Sequence, residues 1–401
     1  MKRWHTVRIC PIDSVLFRDG RPFGVELGAQ AAFSLPIPTP GTLAGFLRTL
    51  VGNLKGTDWE AVRNGYSEER VKGPLMQLDE AFVLPAPADA VVFKDGKVCL
   101  LRPYDLPQGH GCNLPYYDCQ LKPLMLTCDD ERAKPEGGYD FWDWHTLQRW
   151  LLDEPVEQVR KISAPPVERR MHVGINDVTL TSEESLLYTV EYRSYEQWDK
   201  EHRASGNPPQ QWRIVAQVET DLQSVEGIGG LGGERRLAYV EPYSQWLECP
   251  DTLKSAFEQA HYVRMYLATP AIFTNGWLPG WLQKQPHDGA HALLGTPPCL
   301  SNGTLQLKLV AAAVPRRQVI SGWSLKKEGP KPVRWCVPAG AVYFFEVVEG
   351  DPTLLAECCW LETVSDGAER NGNPLNGNRN REAGYGLALW GVWKPNVGGA
   401  S

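Results

Sequence analysis

No segment of the sequence approaches the ~18 uninterrupted apolar residues of a membrane-crossing helix. The first ten residues, Met1 to Cys10, hold Lys2, Arg3 and Arg8 but no apolar run of the kind a secretory signal needs. The expectation is a cytoplasmic protein with no membrane partner. No two cysteines stand at Cys-x-x-Cys spacing, and only Cys358 and Cys359 are adjacent. His110, Cys112, Cys119 and Cys128 cluster, but their spacings match no common finger or ribbon, so no metal is expected. The ten cysteines are read as reduced, mostly buried thiols. Long-period repeats are lacking too, which excludes a solenoid. Nor is there a basic excess: a net charge of −7 argues against a free-standing nucleic-acid binder.

The distribution of that charge is more telling than its sum. Residues 129–158 carry nine acidic and three basic groups, whereas residues 308–334 carry seven basic and one acidic. Such a chain can present a basic face to RNA and an acidic one to protein; solvated charge runs on unrelated surfaces are the alternative. A hydrophobic share of 42% against 22% charged is that of a soluble globular protein, and 401 residues suffice for two domains, each with its own core.

The most unusual stretch is Gly227-Ile228-Gly229-Gly230-Leu231-Gly232-Gly233-Glu234-Arg235-Arg236. Glycine permits positive φ and close backbone approach. Bare N–H groups in succession form an anion-binding concavity, and paired arginines add bidentate phosphate contacts. The stretch reads as a loop holding a phosphate-bearing chain, with a flexible hairpin tip as the alternative. No Lys-Ser or Lys-Thr follows, so it is not a Walker loop, and its Gly227-x-Gly229-x-x-Gly232 match is nearly free in so glycine-dense a run.

Along the chain, Thr6 to Pro11 reads as a strand, and Phe17-Arg18-Asp19-Gly20-Arg21-Pro22-Phe23 as a tight turn that leaves Arg18 and Arg21 free to reach outward. Proline-rich Leu35 to Pro40 leads to Thr42 as N-cap of a helix through Val51, ending at Gly52-Asn53. Leu43, Phe46, Leu47 and Leu50 form its buried stripe, with Arg48 off it. Strands at Ala81–Leu84 and Val98–Leu101 complete the opening of a βαββαβ unit. Residues 103–160 read as an insertion ending in a short helix with Phe141, Trp144, Gln148 and Leu151 along one side. Arg160-Lys161 and Arg169-Arg170 flank a proline-stiffened segment, and strands follow at Leu186–Tyr192, Trp212–Val218 and Leu237–Val240. Beyond a boundary near Cys249-Pro250 come a helix (Leu253, Phe257, Ala260) and strands at Val263–Thr269, Leu305–Ala312 and Ala341–Val348. An Asn/Gly-rich loop, Asn371 to Asn380, precedes a terminal strand entered through Gly384 and Gly386.

Three stretches in this order resemble one family: Phe17–Phe23 with Pro36–Arg48, Gly230–Arg235, and Gly384-Tyr385-Gly386-Leu387-Ala388-Leu389. Thr269-Pro270-Ala271-Ile272-Phe273 and Gly276-Trp277 fit the same pattern. The chain resembles the RAMP proteins of CRISPR systems, most closely the third Cmr subunit of type III-B complexes. The resemblance implies an α+β fold of two tandem ferredoxin-like (RRM-like) domains, 1–250 and 251–401, with insertions and glycine-rich loops. It implies a non-catalytic, cofactor-free subunit that holds the 5′ repeat-derived tag of the CRISPR RNA (crRNA). It also implies docking to the large Palm-domain subunit and an adjacent RAMP backbone subunit, in defence against invading nucleic acid. Carried onto this sequence, the RNA-contact residues are Arg18, Arg21, Arg48, Arg169, Arg170, Gly227, Gly229, Gly230, Gly232, Gly233, Arg235, Arg236, Gly384 and Gly386.

Two rivals stand beside this reading. A metal-independent RAMP endoribonuclease needs a general base near a 2′-hydroxyl, for which His5 and His172, each beside basic residues, are candidates. A dinucleotide binder needs its glycines between strand and helix, but Leu237–Val240 is strand-like.

Overall fold

A computed structural model describes residues 1–21, 31–59, 69–128, 134–198, 206–300, 303–324, 329–367, 369–370, 373–374 and 380–395. The expected loop Asn371–Asn380 lies almost wholly outside these residues, as do Pro22 and Phe23 of the expected turn. The described part is a mixed α+β structure, mostly strands, with four α-helices.

Strand β1 (Arg3–Pro11) buries Val7 and Ile9 on one face. Helix α1 (Pro40–Leu54) follows, and its start differs from expectation. Thr39 is the N-cap, its hydroxyl accepting from the Thr42 N–H at 3.2 Å, with Pro40 at the first helical position. Proline is favoured there because that N–H has no intrahelical partner. The expected stripe of Leu43, Phe46, Leu47 and Leu50 is buried. Next come β2 (Val71–Leu78), β3 (Ala81–Pro85), β4 (Phe141–Asp143) and helix α2 (Trp144–Leu151), capped by Asp143. Part of the expected insertion is therefore sheet: β4 is an outer strand, pairing β3. Strands β5 (Val167–Ile175) and β6 (Ser182–Arg193) form a long hairpin joined by Ala31–Ala32 into a separate three-stranded sheet. Then β7 (Gln210–Thr220), β8 (Gly227–Leu231) and β9 (Arg236–Pro242) complete the first main sheet, in the order β8-β9-β1-β7-β2-β3-β4.

After α3 (Asp251–Phe257) come β10 (Tyr262–Leu267), the hairpin β11 (Leu282–His287) and β12 (Ala290–Gly295), and β13 (Leu305–Ala313). A two-stranded excursion, β14 (Gln318–Ile320) with β15 (Arg334–Cys336), leads to β16 (Val342–Gly350), the short α4 (Leu354–Glu357), β17 (Glu362–Thr363) and β18 (Leu387–Val392). The second main sheet runs β11-β12-β13-β16-β10-β18-β17. All strands of one main sheet precede residue 250 and all of the other follow it, yet the largest buried cluster spans both. It unites Leu84, Trp142, Trp150 and Leu151 with Met265, Phe345 and Trp390.

A buried ionic cluster crosses the same junction. Arg264, on the interior strand β10 and with no exposed side-chain surface, donates to Asp153 Oδ1 at 2.5 Å and lies 3.8 Å from Asp89 Oδ2. Arg102 donates to the same Asp153 oxygen at 2.5 Å, and Trp150 Nε1 reaches Asp89 at 3.2 Å. Burial, outweighing the opposing pull of Arg264 and Arg102, pushes the Asp89 carboxyl up to about 6.

Four cysteines depart from the reduced-thiol expectation, forming the disulfides Cys99–Cys128 and Cys299–Cys359; six are free. Among the described residues no group of three His, Cys, Asp or Glu is placed to hold a metal. No described helix is long and apolar enough to cross a membrane.

Candidate nucleic-acid interface

The glycine-rich stretch is not a free loop. Gly227–Leu231 is the outermost strand of the first sheet, paired with β9, and its glycines have packing causes. Helix α1 crosses so closely that a Cβ on Gly229 would stand 2.9 Å from Phe46 Cε2, and one on Gly227 3.3 Å from Leu50. At Gly232, where φ is +76°, a Cβ would run into the Leu16 carbonyl oxygen; at Gly233 it would lie 2.9 Å from the Leu16 side chain. These side chains are absent so that α1 and the Leu16 segment can approach. What the hairpin offers a ligand is its edge and its tip. Gly230 and Ile228 are exposed on the edge strand, whose outer backbone groups have no strand partner among the described residues. At the tip, Glu234 and Arg235 are consecutive left-handed residues (φ +56° and +49°), a conformation costly without glycine.

That tip is held by a polar network. Tyr192 O–H donates to Glu234 at 2.7 Å, and Arg236 bridges Glu234 (3.1 Å) and Asp13 (2.8 Å) while stacking on the Tyr192 ring at 4.7 Å. Arg170 pairs with Glu168 at 2.6 Å and Asp13 at 3.5 Å, over the other side of the cluster. The Ser14 N–H, then Arg170 and Arg236, hold the Asp13 carboxyl below the usual range. Arg169 donates to Glu191 at 2.8 Å but stays largely exposed. Of the four predicted arginines here, Arg169, Arg170 and Arg236 are engaged by carboxylates; Arg235 is exposed, with no ion pair among the described residues.

A second concentration of charge joins elements far apart in sequence. Arg48 donates to the carbonyls of Glu69 (2.9 Å) and Glu382 (3.1 Å), and Arg334 to Asn380 Oδ1 at 3.2 Å. Lys331 as a whole is exposed, yet crowding around its ammonium lowers its proton affinity, and the charges of Arg48 and Arg334 push the same way. It has no carboxylate partner among the described residues. Like charges gathered this way disfavour one another's charged forms. Arg18 and Arg21 lie beside the same excursion, because a Cβ on Gly20 would stand 2.6 Å from Val319. Arg21 pairs with Asp19 at 2.7 Å and stacks on Phe33 at 4.0 Å, while Arg18 is exposed. The sequence reading missed Lys331 and Arg334 as individuals; the basic excess of residues 308–334 was their only signal.

Gly384 and Gly386 are buried. A Cβ on Gly384 would stand 2.8 Å from the Gly73 carbonyl oxygen, and one on Gly386 2.5 Å from Ser365 Oγ. Their N–H groups already donate to Arg381 and Pro270. They serve packing and lie off the exposed surface. His172 stacks on Tyr188 with centroids 5.3 Å apart and lies 3.2 Å from Tyr192 Oη. His5 accepts from Arg3 at 3.3 Å; burial, then Arg3, lowers its pKa. The two histidines sit on different sheets and share no site. An apolar cleft of about 430 Å³ opens between Pro36–Thr39, Pro74–Met76 and Ala268–Pro270, with Asp140 and Arg316 among its lining.

No curated protein matches the chain. Two solved chains from cryo-EM structures of the type III-B Cmr-beta complex bound to cognate target RNA are similar to it. Each is 15% identical, with 84% of this chain and 86% of that one covered; TM-scores are 0.45, in the structure that also holds AMPPnP, and 0.42. A chain from a Csm3-Csm4 subcomplex of the type III-A interference complex is 9% identical over 98% of this chain and all of that one, with a TM-score of 0.31. A family described as CRISPR-associated protein (Cas_Cmr3) matches residues 7–393. That span takes in both main sheets, the glycine hairpin and the cation cluster, and the chain belongs to this CRISPR-associated Cmr3 family.

Proposed function

We propose that the protein is a non-catalytic, RNA-holding subunit of a type III-B CRISPR (Cmr) effector complex, working in the cytoplasm. It grips the 5′ tag of the crRNA and docks the large Palm-domain subunit and a neighbouring RAMP subunit. The observation that carries this reading is that Arg48 and Arg334 converge on the neighbouring residues Glu382 and Asn380, with Lys331 near enough to feel both charges. A surface lined by one sign of charge concentrates ligands of the other, such as a phosphate chain. The exposed tip residue Arg235 and the open β8 edge supply further donors to phosphates and 2′-hydroxyls. The exposed apolar face of β5, with Met171, Val173 and Ile175, supports a protein contact on the adjoining side.

Residues 1–250 and 251–401 are read as two ferredoxin-like units. Taking β1, β2, β7 and β9 as first to fourth, their spatial order is fourth-first-third-second; β10, β13, β16 and β18 repeat it. Each unit departs from full βαββαβ at one helix. Strand β8 stands between the third and fourth strands of one, and the hairpin β11–β12 between the first and second of the other.

Filter binding of tagged and untagged RNA at several salt concentrations tests the reading, with EDTA present throughout. Salt-dependent retention without cleavage is expected. Cleavage lost in His172→Ala would replace it with the endoribonuclease reading.

A further inference from the structure

We propose that the two-stranded excursion, in its described residues 318–324 and 329–336, carries a stacking platform for unpaired bases of single-stranded RNA, centred on Trp335 with Trp323 further out. This rests on the RNA-holding reading and goes beyond it, naming a subsite and its chemistry. Two indoles on one short excursion are largely open to solvent, Trp335 at 59% and Trp323 at 62%. A core does not explain them, and their flanks do not resemble a protein contact, whose centre is poor in charge. The described residues 315–324 and 329–336 hold Arg316, Arg317, Lys331 and Arg334 and no carboxylate.

The geometry orders these groups. Trp335 pairs directly across from Val319, so the two share one face of the ribbon. The Arg317 guanidinium stacks on one face of the Trp335 ring, 3.6 Å from its centroid, so a base would take the other face of the indole. Gly20 abuts Val319, which turns this face toward the Arg18–Arg21 turn, where Arg21 makes a second cation–aromatic stack on Phe33. The opposite face of the ribbon carries Arg334 inward toward Asn380, beside the Lys331 cluster. Side-chain cations therefore lie on both sides of an exposed aromatic surface. That interleaving suits a phosphate chain with splayed bases, because every base has a π-face to stack while its phosphate needs a cation. Recognition at this subsite is tolerant of sequence.

The full-length protein, its Trp335→Ala, Trp335→Phe and Trp323→Ala variants, and a tagged single-stranded RNA carrying 5-iodouridine test the proposal. Trp335→Ala should weaken binding roughly five- to 150-fold, as expected for loss of one base–aromatic stack, with the salt slope unchanged. Trp335→Phe should recover most of the affinity, and photocrosslinking should mark the peptide containing Trp335. Wild-type affinity in both alanine variants, or crosslinks confined to other peptides, overturns the platform while leaving the RNA-holding reading intact. Loss of assembly with a protein subunit at unchanged RNA affinity also overturns it, reassigning the tryptophans to protein docking. If the wild-type chain retains no RNA at any salt, both readings fall together.

Discussion

Arg264 on an interior strand of the second sheet donates to Asp153, which follows the helix packed under the first, at 2.5 Å. Neither side chain is more than one-tenth exposed. Buried ion pairs of this kind contribute little net stability when whole, because desolvation offsets attraction, but they are costly to break. Replacing Arg264 with Met should therefore destabilise the protein by about 3–5 kcal/mol, leaving Asp89 and Asp153 buried without a full complement of charge. Urea unfolding checks this, and a variant as stable as wild type would remove the cluster from any part in joining the sheets.

Asp89 adds a pH dependence. Its carboxyl, ordinarily near 3.8, binds its proton up to about 6 in the fold. Between those values the folded state holds more protons than the unfolded one, so the Asp89 contribution to stability falls as pH rises through this window. Above it, the charged group remains a cost. Asp89→Asn should therefore gain on wild type between pH 5 and pH 7.5, approaching a difference of about 3 kcal/mol across the whole window. A difference independent of pH would contradict the assignment.

The glycines of the first half separate cleanly into needed and unneeded ones. Gly232 combines φ +76° with the Leu16 carbonyl at its back, so Gly232→Ala should destabilise by roughly 1–3 kcal/mol. Gly45, exposed in mid-helix with nothing within 4 Å of an added Cβ, should behave oppositely. Gly45→Ala should stabilise by about 0.5–1 kcal/mol. Thermal melts of the two variants, moving in opposite directions, are the check.

For RNA retention, Arg235→Glu is the clean test of the hairpin tip. Arg236 is held by Asp13 and Glu234, so reversing its charge disturbs the fold as well. Arg235→Glu and Lys331→Glu should each weaken binding at low salt and reduce the salt slope by about 1. Unchanged affinity and slope in both would move the RNA elsewhere on the surface.

Much of the first sheet was legible because its signals are local. The i, i+3, i+4, i+7 spacing of Leu43, Phe46, Leu47 and Leu50 identified both α1 and its buried face. The cap was misplaced by three residues, since Thr39 before Pro40 fits the capping chemistry better than Thr42. The glycine run was conspicuous, but composition cannot distinguish backbone bared for a ligand from backbone bared for Phe46 and Leu16. Nor could one-dimensional reading gather Arg48, Lys331 and Arg334, which are brought together only by tertiary contacts across some 290 residues of chain. The disulfides escaped for the same reason: Cys299 and Cys359 stand 60 positions apart.

Gly384 rests against the Gly73 carbonyl, and Glu382 beside it receives the guanidinium of Arg48. The opening strands and helix thus complete their surroundings with residues more than 300 positions downstream. A shortened chain ending before residue 380 would present an unfinished floor beneath its first helix. Dissecting the protein into separately expressed halves should accordingly give an aggregating front portion, and supplying the missing tail in trans should rescue its solubility.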